Sequence, residues 1–172
     1  MKFYTTIFIG IFLLLSSVAS GQHVTTIKAA AIEMGNALAQ KNSKKFIDYQ
    51  HPVMIELAGG EDQLRTISDS ALKVFEQLGG RVSKINYGNP SEVVSHKKVL
   101  QSVIPQTLTL TSFIADIEIA TSLIAISEDG GKNWRFIDTN LFSVKEIKSV
   151  MPELSPALVI PKSTPPKITI KQ

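Results

Sequence analysis

At Gly79-Gly80 the spacing of the apolar residues changes, and that change decides what the chain can fold into. Before it, apolar residues recur every three or four positions; after it, they alternate. Val24, Ile27, Ala31, Met34 and Leu38 form one helical stripe. Asn42-Ser43 ends that helix or caps a second, short one over KKFIDYQ (44–50). His51-Pro52 breaks the chain, and Pro52 suits the first turn of PVMIELA, which Gly59-Gly60 closes. Glu61 and Asp62 sit where acids favour a helix start, and Leu64, Ile67, Ala71, Phe75 and Leu78 continue as another stripe.

From residue 81 the period is two. RVSKINYG (81–88) alternates Val82, Lys84 and Asn86 against Ser83, Ile85 and Tyr87, and Asn89-Pro90 marks a turn. Segments 92–96 and 98–104 read as paired strands joined at His96-Lys97. Further strands are expected at 106–112, 114–127 and 133–139, then a short helix at 143–151. The tail from Pro152 carries five prolines, and its end, 161–172, is expected to be extended or disordered. Helices followed by an antiparallel meander predict an α+β fold, with the N-terminal helices packed on one face of a strongly bent sheet.

Residues 1–21 have the pattern of a secretory signal peptide: Lys2, an apolar run from Ile7 to Leu15, then small residues. The run is well short of the roughly 20 residues that span a bilayer. Cleavage is expected near Ser20 or Gly21, giving an exported protein, periplasmic or secreted, with no integral membrane segment after cleavage. The chain has no cysteine, which removes disulfides, thiolate metal sites and cysteine nucleophiles. Eighteen Lys and Arg against 15 Asp and Glu give a net charge of only +3, and the longest basic runs are Lys44-Lys45 and Lys97-Lys98. Nucleic acid is therefore not expected as a partner.

The sharpest local pattern is SEDGGKNW (127–134), an Asp-box-like hairpin through Ser127, Asp129, Gly131 and Trp134. Aspartate bonds the backbone of its own loop and glycine supplies positive φ, so the pattern predicts a rigid turn, with Trp134 packing inward on the return strand. Such boxes recur several to a chain in sialidase-type propellers; one copy here makes it a structural hairpin. The three histidines show no ligand spacing, and neither metal nor cofactor is expected. His51, between two helical segments, either faces a pocket as a base or caps a helix. Asp138 shares its strand face with Trp134 and Phe136, so an aromatic wall ending in a carboxylate results if that face is concave.

Helix, short helix, third helix and then a bent meander resembles the nuclear transport factor two-like (cystatin-like) cone. The strings YQHPVMIELAGGEDQL (49–64), VIPQTL (103–108) and AISEDGGKNWRFID (125–138) resemble small exported bacterial proteins of that superfamily. The resemblance implies one such domain over 22–160 and a non-catalytic binding module. The expected ligand is small and apolar or amphipathic, held in the cone by Tyr49, His51, Met54, Trp134, Phe136 and Asp138. A protein partner is the other expectation, including a homodimer through the outer sheet face. The alternative is an isomerase- or cyclase-like enzyme using a carboxylate or histidine in the cone. No catalytic residue of the superfamily is carried over.

Overall fold

The computed structural model describes residues 3–171, with side chains from Gly21 onward, so the expected leader lies largely outside the described side chains. The elements run α1 (Phe3–Ala39), α2 (Ser43–Asp48), α3 (Pro52–Ala58), α4 (Glu61–Gln77), β1 (Arg81–Tyr87), β2 (Val94–His96), β3 (Val99–Thr111), β4 (Ala115–Ser127), β5 (Arg135–Asp138), α5 (Val144–Val150) and β6 (Lys167–Ile170). The fold is α+β, with an antiparallel, unclosed sheet in the order β1-β3-β4-β5; β2 also pairs with β3, and β6 with β4. Among the described residues no helix is long and apolar enough to cross a membrane.

β3 and β4 form the centre, in register from Leu100↔Ser127 to Thr111↔Asp116. Pro105 lies in the middle of β3, where the sequence suggested two separate strands. Its carbonyl accepts from Gly88 N–H at 2.9 Å, so its missing donor faces the gap where β1 has ended and β2 has not begun. The ladder to β4 loses nothing. β1 carries an irregularity between Val82 and Lys84, and this shifts the simple alternation. Through the register Val82↔Leu110, Ile85↔Leu108 and Tyr87↔Gln106, three side chains of β1 share one sheet face.

Alternation along β4 divides the core in two. Leu123 and Ala125 join Ile27, Ala31 and Met34 of α1, with Ile104, Trp134 and Phe136. Ile124 and Ile126 point the other way, to Met54, Leu64, Ile137, Ile147, Met151 and Leu154. Leu123 is therefore interior. The second core closes through Gln101, fully buried on β3: its amide donates to Glu153 O at 2.6 Å and accepts from Ser155 N at 2.9 Å.

α5 starts with a capping box in which Ser143 and Glu146 exchange bonds. α3 has Pro52 at its first turn and ends at Gly59, whose φ of 88° no branched residue would tolerate. The α4 stripe is only partly used: Leu64 is buried, while Ile67 and Leu78 remain exposed. The tail differs from a wholly loose end. Residues 161–166 have no regular structure, but β6 is an ordered strand on β4, from Ala115↔Ile170 to Glu118↔Lys167.

Candidate functional site

The 127–134 hairpin is built around one carboxylate. Asp129 Oδ1 accepts from Ser127 Oγ at 2.8 Å, Lys132 N at 3.1 Å and Asn133 N at 2.9 Å, and Oδ2 accepts from Asn133 Nδ2 at 2.6 Å. These bonds, led by the backbone N–H of Asn133, hold its pKa down at about 2. Ser127 Oγ accepts from Gly131 N, and Gly131 has φ of 90°. A Cβ at Gly131 would run into the His23 ring of α1. Trp134 is buried and donates from Nε1 to Thr26 Oγ1 at 3.1 Å, tying the hairpin to α1. The hydrogen bonds of Ser127 and Asp129 close the loop on itself and Trp134 ties it to α1, which is a structural role, while Asp129 and Asn133 also border the cleft described next.

His51 caps α3: its Nδ1 accepts from Val53 N at 3.3 Å. That bond places the neutral ring's proton on Nε2. Nε2 has no protein hydrogen-bond partner and lies 3.9 Å from the Glu128 carboxylate. Burial holds His51 below its ordinary value, with Glu128 opposing. The ring borders a half-open polar cleft of about 290 Å³, shared with Glu128, Asp129, Asn133 and Arg135.

A second cluster lies between α1 and the sheet. Tyr87, Gln106, Gln50 and Asp138 converge on an enclosed cavity of about 60 Å³, otherwise walled by side chains such as Met34, Phe46 and Leu108. The Tyr87 hydroxyl is buried without a partner. Burial, and then the Asp138 carboxyl, push the phenol well above its ordinary value. Burial also raises Asp138, against the bonds donated by Asn140 N at 2.8 Å and Thr121 Oγ1 at 3.3 Å. Burial thus acts in the same direction on both groups, disfavouring their charged forms. A cavity of this size has room for a water or two, whereas ligand pockets typically measure roughly 300–1,000 Å³.

The six residues expected to line one pocket are distributed over five places. Trp134 and Phe136 fill the α1 core, and Asp138, on the same strand face, reaches the small cavity. His51 borders the polar cleft, and Tyr49 borders a separate open depression beside Trp134 and Arg135. Met54 is fully buried in the other core. Main-chain bonds tie Tyr49 and His51 to Phe136, through Phe136 N to Tyr49 O at 2.8 Å and His51 N to Phe136 O at 2.9 Å. Sequence reading missed Tyr87. Its signal was Gly35, a glycine inside a helical stripe: a Cβ there would lie 2.5 Å from the Tyr87 hydroxyl oxygen.

Four large apolar side chains stay exposed around one corner. Leu78 at the end of α4 is 71% exposed, Phe113 and Ile114 in the β3–β4 turn 85% and 75%, and Ile170 of β6 78%. The Phe113 ring lies against Gly79, and Lys171 N donates to Ile114 O, so α4, the turn and β6 meet there. The outer sheet face at the same end is polar: Lys84, Thr109, Glu118 and Lys167 stand in register across it. It supplies no apolar patch for pairing.

No family model matches the sequence, and no match is found among curated proteins or solved structures.

Proposed function

We propose that this chain is an exported, non-catalytic binding module of the nuclear transport factor two-like type, and that it engages a protein through the apolar corner at Leu78, Phe113, Ile114 and Ile170. The observation that carries this is the convergence of three separate segments, each leaving large apolar side chains in solvent at one place. Contiguous exposure of this kind marks interaction surfaces. The interior argues the same way: the enclosed cavity at Tyr87 and Asp138 measures only about 60 Å³, and the larger space of about 200 Å³ between α1 and β1 is a half-open groove.

One observation favours a second reading. The unpartnered Tyr87 hydroxyl offers a hydrogen-bond donor to a carbonyl oxygen, with the buried Asp138 carboxyl beside it. An isomerase- or cyclase-like enzyme would use such a pair, once the cavity had opened for substrate. Variants separate the two. With the chain immobilised, Leu78→Ser together with Phe113→Ser abolishes retention of its protein partner from the exported fraction of the organism that makes it. Tyr87→Phe and Asp138→Asn leave retention unchanged. The reverse pattern would move the site to the interior and refute the proposal.

A further inference from the structure

The C-terminal strand lies on the edge of β4 beside this corner, and the way it is held bears on what the partner is. β6 runs antiparallel to β4, and Lys171 N extends the pairing to Ile114 O at 2.9 Å. Lys167 at its start and Lys171 just past its end sit over the two acids of the edge, Lys171 Nζ at 2.9 Å from Asp116 and Lys167 Nζ at 3.9 Å from Glu118. None of the four residues of β6 is buried. The strand is therefore held by main-chain bonds and exposed ion pairs, which contribute little each. It belongs to the low-stability end of the fold, able to leave without disturbing either core.

The tail is anchored up to Ile160, which packs on the second core. Residues 161–166 then include Pro161, Pro165 and Pro166. At about 3.1 Å per residue, six residues held extended by proline reach roughly 19 Å. A strand on such an arm is in reach of a neighbouring molecule that approaches this corner.

We infer that the protein partner is a second copy of this chain, and that the two copies exchange β6. The inference rests on the corner reading above. Of all possible occupants of the β4 edge, the chain's own tail is the one whose fit is visible, in register and in charge. In an exchanged dimer each β6 makes the same main-chain bonds and the same lysine–acid pairs on its partner, so the exchange itself sacrifices no contact. What is gained is apolar burial, as Leu78, Phe113 and Ile114 of the two copies come together at the crossing.

The test uses the absence of cysteine from the chain. Glu118 and Lys167 are directly opposed in register. Opposed antiparallel residues lie within disulfide range. Two single variants are made, Glu118→Cys and Lys167→Cys, each checked for wild-type circular dichroism and melting temperature. They are unfolded, mixed, refolded together and oxidised. Exchange predicts a disulfide-linked heterodimer on a non-reducing gel, at least tenfold above the dimer of either variant alone. In the double variant, a covalent dimer must likewise exceed the internally linked monomer. A double variant that links only within one chain, with no heterodimer from the mixed pair, overturns the exchange.

Sedimentation of the wild-type chain and of Phe113→Ser tells the two levels apart. A wild-type dimer that Phe113→Ser dissociates, with β6 linked only within its own chain, sinks the exchange and leaves the corner as the interface. A dimer that Phe113→Ser leaves intact sinks the corner reading itself.

Discussion

Replacing Gly35 with alanine probes the contact between α1 and Tyr87, and its sign can be worked out. Gly35 is a buried position within α1, where alanine should gain about 1 kcal/mol of helix propensity. Against that gain, the new Cβ would sit 2.5 Å from the Tyr87 hydroxyl oxygen and 3.2 and 3.3 Å from two ring carbons. Overpacking of this kind costs about 1–3 kcal/mol. The net expectation for Gly35→Ala is a loss of about 1 kcal/mol. Tyr87→Phe deletes the offending oxygen, which also has no hydrogen-bond partner, so that variant alone is neutral or slightly stabilising. In the phenylalanine background the ring can yield a few tenths of an ångström towards the cavity, and Gly35→Ala becomes neutral or favourable. The coupling between the two substitutions is then about 1–2 kcal/mol. Urea unfolding of the four proteins measures it, read from midpoints at constant slope. Should Gly35→Ala stabilise the wild-type background by the full propensity gain, or the coupling fall below about 0.5 kcal/mol, the close approach described here is wrong.

Three further outcomes are expected. The folded chain keeps a proton on Asp138 that the unfolded chain releases, so stability falls as pH rises from the ordinary carboxylate range through the folded value. Asp138→Asn should flatten that slope and raise the melting temperature at pH 7, with little change at pH 3. His51 has the opposite sign: its folded value lies below the ordinary 6.5, so stability is lost as pH falls from 6.5 through that lower value. His51→Asn keeps a helix cap and should remove this dependence, a result that melting curves from pH 7 to 4 would check. Trp134→Ala should destabilise by about 3–5 kcal/mol in urea unfolding, because the ring is buried against α1; a loss under about 1 kcal/mol would contradict that placement.

The sequence carried the order of elements well where the chemistry was local. The stripe at 24–38, the glycine pairs at 59–60 and 79–80, and the Asp129 hairpin each depend on neighbours within a few residues, and each is found where expected. It failed where the deciding fact lay across the fold. Pro105 reads as a strand break, yet it is harmless because its empty donor side coincides with the gap between β1 and β2. Lys167–Ile170 is too short and too exposed to announce itself, and only β4 makes it a strand. The candidate site was less legible. Asp138 was placed on the face of Trp134 and Phe136, but its neighbour Tyr87 lies 51 positions earlier, and the slip at Ser83 obscures which face β1 presents. The corner could not be read at all, because the α4 stripe looks the same whether or not anything covers its second half.

Gln101 has a consequence for the order in which the molecule assembles. A primary amide that donates to one carbonyl and accepts from a nearby N–H imitates a peptide group, and here it grips the chain at Glu153 and Ser155. That grip exists only once β3 is in place, more than fifty positions earlier in the chain. Glutamate could not donate, asparagine would not reach, and leucine would strand the N–H of Ser155. The segment from α5 to Leu154 thus docks after β3 is in place, as a flap over a sheet already built. In hydrogen exchange, amides of 144–155 should exchange as one group, ahead of β3 and β4, and Gln101→Leu should speed that group alone.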